Sequence, residues 1–99
     1  MRPEKEIIKE VLVDALKLIN EKGWVQNRFS TEKGYCVLGA IHYAASIQSR
    51  DVRIEVTKVF AENIDSRMRT FDLVTWNDKW YRTKWEVTRI FKKAIASLV

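Results

Sequence analysis

The length and composition of this chain are those of one small folded domain. Its 99 residues are 46% apolar and 31% charged, which is typical of a soluble protein with a single modest core. Three glycines and one proline are too few for a sandwich or barrel of many short strands, and a single cysteine excludes an internal disulfide. The formal net charge of +5 lies entirely in residues 79–99, which hold six bases and one acid, whereas the rest of the chain holds 12 of each. Bases clustered in this way can meet several phosphates or carboxylates at once.

The segment from Glu4 to Lys22 has the apolar periodicity of an amphipathic helix. Its apolar residues recur at spacings of three and four from Ile7 onwards, and charged residues lie mostly on the opposite side. Pro3 suits the first turn of this helix, and Gly23 supplies the left-handed residue that ends it.

The next two segments predict a loop and then a second helix. Residues 24–34 show no period, so we expect a loop that Trp24 and Phe29 anchor to the core. Residues 35–48 are again helical in pattern. This segment contains the small residues Gly39, Ala40, Ala44 and Ala45. Because small residues let a neighbouring helix approach closely, we predict that this helix is central and that Gly39 marks a close packing contact.

A third helix is predicted from Asp51 to about Ile64, with Asp51 as its N-cap or as an acid of its first turn. Its inner stripe consists of Val52, Val56, Val59, Phe60 and Asn63. The β-branched residues lower the helix propensity, which leaves a strand-like alternative open. Residues 66–76 fit either a short extended or 3-10 segment or a single helical turn, and Asn77 with Asp78 is typical of a turn.

The last helix has the clearest signals. Thr83 and Glu86 have the spacing of a capping box, in which each residue satisfies a backbone N–H of the other. An apolar series then runs through Val87, Ile90, Phe91, Ala94, Ile95 and Leu98. Together the segments predict an all-α fold, a compact single domain of about four helices over residues 1–99.

The composition also restricts the location and the chemistry of the protein. No apolar run approaches the length of a membrane span, and Met1 leads into a charged segment without the apolar core of a signal peptide. One histidine and one cysteine cannot form a zinc site by themselves. We therefore expect a cytoplasmic protein with no membrane partner, no metal and no cofactor.

Cys36 and His42 are the residues most suggestive of catalysis. Cys36 lies near a predicted helix N-terminus, a position that lowers the pKa of a thiol. On one helix, however, the two residues lie about 240° apart around the axis and about 9 Å apart along it. This separation excludes the hydrogen bond of about 3 Å that a Cys–His pair requires. We predict no catalytic residue, a buried Cys36 and a partly buried His42 bonded to a loop carbonyl, with a cysteine-dependent enzyme as a remote alternative.

An aromatic and basic surface is predicted at the C-terminal end. Trp85 lies about 160° around the last helix from Val87, on the side of Arg89, so we expect it to be exposed and stacked on Arg89. An exposed aromatic residue beside bases suits a pocket of a partner protein or a nucleobase. The candidate partner-binding residues, for either partner, are Lys79, Trp80, Arg82, Lys84, Trp85, Arg89, Lys92 and Lys93.

Three sequence blocks carry a family resemblance. They are Gly23-Trp24-x-Gln26, then Cys36-x-x-Gly39-Ala40-Ile41, then Trp76-Asn77-Asp78 followed by Arg82-Thr83-x-x-Glu86-Val87. In this order the blocks resemble a family of small uncharacterised proteins of phages and actinobacteria, whose members carry a Trp-Asn-Asp turn ahead of the last helix. The resemblance implies a shared fold and a phage or prokaryotic source, and it transfers no catalytic residue. The chain departs from the family at Lys79-Trp80-Tyr81, where small, Gly or Pro residues are expected.

The residues of the third block have a structural interpretation. Asn77 and Asp78 can bond backbone groups two residues on, and Arg82 is expected to pair with Asp78. We predict that these residues, with a core Trp76, Thr83 and Glu86, form a structural turn that fixes the last helix.

The leading functional hypothesis is a non-enzymatic small binding protein. With no catalytic constellation and an aromatic, basic surface, the chain suits a phage-encoded accessory protein or an inhibitor of a host antiviral defence complex that acts by protein–protein contact. Nucleic-acid binding through the basic last helix is the alternative. The two differ in salt dependence, because phosphate contacts make affinity fall steeply as salt rises.

Overall fold

The computed structural model describes residues 4–98, and Pro3, which was predicted in the first turn, lies outside this range. The described chain folds into five α-helices and one small antiparallel hairpin. The helices are α1 (Lys5–Lys22), α2 (Val37–Ala44), α3 (Arg50–Ile64), α4 (Asp72–Asn77) and α5 (Lys84–Ala96), and the strands are β1 (Ser30–Thr31) and β2 (Gly34–Tyr35). The all-α prediction is confirmed, with one short helix more than expected.

The first helix forms as its periodicity predicts. Its buried side chains are Ile8, Val11, Leu12, Ala15 and Ile19. Gly23 ends the helix with a φ of 110°, and its N–H donates to the Ile19 carbonyl at 2.9 Å.

The second helix is shorter than its predicted span but occupies the central position. Tyr35 pairs with Ser30 in the hairpin, so α2 begins only at Val37, and residues 45–48 form a turn after it. The helix packs against α1, α3 and α4. Its small residues therefore serve the contacts expected of a central helix.

The close packing contact predicted at Gly39 is confirmed, and the backbone of the loop before α2 makes it. A Cβ atom at Gly39 would overlap the carbonyl oxygen of Phe29. The same carbonyl accepts from the Cys36 N–H at 3.0 Å, so the loop is fastened by its backbone. The predicted anchoring by the Phe29 side chain is wrong, because that ring is 61% exposed. Trp24, by contrast, packs against the core as predicted.

The two segments in the middle of the chain for which the sequence left a non-helical alternative are both helical. Ser49 is the N-cap of α3, with its hydroxyl accepting from the Val52 N–H at 3.3 Å, and Asp51 lies in the first turn. The strand-like alternative for α3 is wrong, as is the extended or 3-10 alternative near residues 70–76. There α4 forms a six-residue helix whose Leu73 is fully buried.

The last helix completes the core. The capping box is present, with the Glu86 N–H donating to the Thr83 hydroxyl at 3.2 Å and the Glu86 carboxylate accepting from the Thr83 N–H at 3.2 Å. Phe91 meets Phe60 of α3 edge to face at 4.7 Å, and Trp76 meets the same Phe60 ring at 6.1 Å. None of the helices between residues 4 and 98 combines the length and apolar character that a bilayer span requires.

Candidate functional site

Asn77, the last residue of α4, lies at the centre of a buried hydrogen-bond network. Asn77 is only 1% exposed. Its Oδ1 accepts from Trp24 Nε1 at 2.7 Å and from the Val37 N–H at 3.1 Å. Its Nδ2 donates to the Val25 carbonyl at 3.1 Å and to Asp78 Oδ1 at 2.9 Å. One amide therefore joins α4 to the loop after α1 and to the first turn of α2.

The neighbours of Asn77 reinforce this junction. Gln26 Nε2 donates to the carbonyls of Asn77 at 3.0 Å and of Lys79 at 2.7 Å. Asp78 Oδ1 accepts from the N–H of Asn27, whose φ of 66° makes it the one non-glycine residue of positive φ in the described chain. We call the bonds of Asn77, Asp78, Gln26 and Trp24 the asparagine junction. It fastens the loop and α2, whereas the predicted role of Asn77 and Asp78 was to fix the last helix.

The last helix is fixed by Arg82, and its predicted pairing with Asp78 is wrong. Arg82 Nη1 donates to Glu86 Oε2 at 2.8 Å, and its Nε donates to the Trp76 carbonyl at 2.9 Å. The guanidinium lies 4.2 Å from the Trp76 ring centre and 5.2 Å from that of Tyr81. The hydrogen bond from Arg82, foremost, lowers the pKa of Glu86 below its ordinary value. With a side chain only 10% exposed, Arg82 joins α4 to α5 and presents little surface to a partner.

Replacing Arg82 with lysine should lower the free energy of unfolding by about 2 kcal/mol, because an ammonium cannot reproduce both planar hydrogen bonds and the stacking on Trp76. Urea unfolding followed by far-UV circular dichroism measures the effect. Arg89→Lys is the matched control, since Arg89 lies over an exposed ring, and it should change the value by less than about 0.5 kcal/mol. Equal effects of the two substitutions would contradict a structural role for Arg82.

The predicted exposure of Trp85 is confirmed, and the structure shows that Trp80 is exposed as well. Trp80, in the connection before α5, is 89% exposed, and Trp85 is 69% exposed. The Arg89 guanidinium lies 5.6 Å from the Trp85 ring centre, as the spacing predicts, and Trp80 meets Tyr81 edge to face at 5.6 Å. Tyr81 is a further exposed aromatic residue that the predicted site omitted.

The remaining predicted residues divide according to their contacts. Lys79, Lys84 and Lys92 are exposed, and Lys93 is also exposed but donates from Nζ to the Asn63 carbonyl at 3.0 Å. On α5, Lys92 follows Trp85 and Arg89 at helical spacing on the side opposite the buried stripe. We call the exposed residues the C-terminal surface: Lys79, Trp80, Tyr81, Lys84, Trp85, Arg89, Lys92 and Lys93.

The structure places Cys36 and His42 in different environments. Cys36 is buried at the N-cap of α2, where its Sγ accepts from the Gly39 N–H at 3.2 Å. Burial raises the pKa of this thiol, which reverses the lowering expected at a helix N-terminus. His42 is exposed, and the predicted bond to a loop carbonyl is not found among the described residues. Desolvation, followed by the charge of Arg53, lowers the pKa of His42.

No three histidine, cysteine, aspartate or glutamate side chains in residues 4–98 come together as a set of metal ligands.

Fold and site together define a small helical protein in which the asparagine junction fastens the loop to α2 and α4, Arg82 joins α4 to α5, and the C-terminal surface is exposed. The chain belongs to the family of unknown function DUF6197, whose sequence pattern matches residues 3–97. This match confirms the resemblance to an uncharacterised family. No curated protein and no solved structure matches the chain.

Proposed function

We propose that this protein is a non-enzymatic binding protein that docks onto an acidic surface of a partner protein through its C-terminal surface. The observation that carries the proposal is the exposure of Trp80 and Trp85 beside bases that form no ion pair within residues 4–98. Tryptophan is costly to leave in water and is enriched where protein interfaces gain most of their binding energy.

The contacts of the two rings favour a protein partner over a nucleic acid. Nucleobase stacking needs an open aromatic face. The guanidinium of Arg89 lies over one face of Trp85, and Trp80 and Tyr81 meet edge to face, so each tryptophan has a neighbour that reduces the aromatic face open to a nucleobase. The same contacts limit the motion of the rings before binding, which reduces the entropic cost of association.

The charge of the segment indicates the kind of partner. Within residues 79–99, six bases face one acid, and that acid, Glu86, is neutralised by Arg82. The C-terminal surface therefore carries Lys and Arg alone as its charged groups. A partner that is acidic around an apolar pocket would complement both its charge and its aromatic residues.

The setting of this interaction is inferred from the family resemblance. The sequence blocks of the chain resemble those of phage and actinobacterial proteins, and a small binding protein of that origin would suit a phage-encoded accessory protein or an inhibitor of a host defence complex. Such a protein would act in the cytoplasm of a bacterial or other prokaryotic host.

The proposal predicts that one defined protein is captured from a host lysate by the unmodified chain. Trp80→Ala and Trp85→Ala should each reduce this capture at least about tenfold, because truncating a hot-spot residue costs 2 kcal/mol or more of binding free energy. Tagged full-length variants, matched in concentration and checked for folding, would be compared by quantitative mass spectrometry. Phe71→Ala is the matched control, since Phe71 is similarly exposed and also lies under an arginine, Arg69, but belongs to another surface.

Two further arms separate the partner classes. Nuclease treatment should leave the capture unchanged, and Lys92→Glu should weaken it without unfolding the chain. Lys92 is preferred to Lys93 because Lys93 also bonds to α3. Loss of capture after nuclease treatment, with tight oligonucleotide binding that weakens steeply as salt rises, would establish the nucleic-acid alternative instead. Capture that survives both tryptophan substitutions would overturn the proposal.

A further inference from the structure

A cleft of about 340 Å³ opens beside the asparagine junction, and none of the residues that line it belongs to the C-terminal surface. Its lining includes the apolar side chains of Phe29, Leu38 and Leu73 and the buried thiol of Cys36. Asp78 and Arg28 are its charged residues. A volume above about 300 Å³, with mainly apolar walls and few polar groups, is typical of pockets that bind small molecules.

The cleft brings together residues from all three sequence blocks or their immediate neighbours. Cys36 belongs to the second block, Asp78 to the third, and residues 27–29 follow directly on the first. The asparagine junction holds these segments together, because Asn77 bonds the loop and α2 while itself lining the cleft. The cleft is therefore built from fixed elements and is formed before any ligand arrives.

Asp78 provides the cleft with a hydrogen-bond acceptor. Its Oδ1 is occupied by the N–H of Asn27 and by Asn77 Nδ2, whereas its Oδ2 accepts from no donor in the described chain. The carboxylate lies near Cys36, since after burial its charge is a further cause of the raised pKa of that thiol. Arg28 is exposed and lies within no ion pair of the described chain.

We propose that this cleft binds a small organic cation that places an aromatic or other flat apolar body against Phe29, Leu38 and Leu73 and donates N–H groups to Asp78 Oδ2. A charge-assisted hydrogen bond in a partly desolvated site is stronger than a neutral one, so an amidinium or a primary ammonium is favoured over an alcohol.

The probe that tests this is benzamidine, compared with benzyl alcohol and with benzoate in titrations of the full chain followed by amide NMR shifts. Benzamidine should perturb the amides of residues 27–29 and of Asp78 with a dissociation constant of about 1 mM or tighter. Benzyl alcohol should bind at least about fivefold more weakly, and benzoate more weakly again, because Asp78 attracts the cation and repels the carboxylate.

Asp78→Asn gives the decisive comparison, since the asparagine Oδ1 can keep both internal bonds while the charge and the free acceptor are lost. This variant should weaken benzamidine binding about tenfold and leave benzyl alcohol binding unchanged. Asp14→Asn, on the exposed side of α1, is the charge-matched control and should have no effect. Leu38→Trp, which fills the cleft without touching the junction, should abolish the binding of both probes.

The outcomes decide the proposal either way. Failure of benzamidine to bind, perturbations centred elsewhere, or benzoate binding as tightly as benzamidine through Arg28 would each overturn it. Trp85→Ala should bind benzamidine as the unmodified chain does. The proposed ligand cleft and the proposed docking function are therefore tested independently of each other.

Discussion

Replacing Asn77 with alanine should lower the free energy of unfolding by about 4 kcal/mol, because several buried polar groups would lose their partners together, at about 1–3 kcal/mol each. The Val37 N–H, the Trp24 indole N–H and the Val25 carbonyl would each be left without their Asn77 bond. A domain of this size has a total stability of roughly 5–15 kcal/mol. The substitution should therefore bring the protein close to the limit of folding.

Urea unfolding monitored by circular dichroism, with tryptophan fluorescence as a second probe, measures this effect. Asn63→Ala is the matched control: that asparagine lies half-buried on α3 and donates to the Val59 carbonyl at 2.9 Å and to the Ser97 hydroxyl at 3.3 Å. Since its groups have access to water, its loss should cost about 1 kcal/mol or less. A cost at Asn77 no greater than that at Asn63 would contradict the central role of the junction.

Replacing Gly39 with alanine should lower the free energy of unfolding by about 3 kcal/mol, although alanine is the better helix former by about 1 kcal/mol. The reason is steric, because the new methyl group would overlap the Phe29 carbonyl oxygen. The loop would have to move away from α2, which would also stretch the bond from the Cys36 N–H to that carbonyl.

Ala40→Gly, at the adjacent position, separates this explanation from helix propensity. If propensity decided the outcome, Gly39→Ala would stabilise the protein and Ala40→Gly would destabilise it. We expect both to destabilise, with the larger loss at Gly39 and with amide shift changes reaching Phe29 and Cys36. A stabilised Gly39→Ala variant would disprove the close approach of the loop.

The sequence predicts best those elements whose determinants are local. The helix α1 is specified by one apolar stripe and the Gly23 cap, and α5 by the Thr83–Glu86 box and its own stripe. Exposure of Trp85 follows from the same helical geometry. The positions of these residues depend on neighbours within about one turn, which a sequence pattern contains.

The sequence fails where a residue chooses among distant or competing partners. Arg82 was expected to bond Asp78. In the structure it donates instead to Glu86 and to the Trp76 carbonyl, and its guanidinium stacks on the rings of Trp76 and Tyr81. Phe29 looked like an apolar anchor, but the hairpin turns its ring outward and uses its backbone instead.

The cleft and the asparagine junction were missed for a related reason. Asn77 reads locally as a turn residue, and its true partners stand 40 to 53 positions earlier in the chain. The one available signal was the occurrence of a Gly-Trp-x-Gln block and a Trp-Asn-Asp block in the same sequence. A single sequence contains no measure of which blocks meet in space.

These long separations also order the events of folding. The bonds of Asn77 to Trp24, Val25 and Val37 form only after the intervening chain has closed into loops of 40 residues or more. The entropic cost of closing these loops must first be met by packing of the core. The helices α1, α2 and α3 can associate earlier through contacts closer in sequence. Docking of α4 is then expected to be a late step, and its reversal a local opening that frees Trp24 and the Val37 N–H together. The bonds of Asn77 therefore determine how frequently this local opening exposes the loop, the cleft and the start of α2 together.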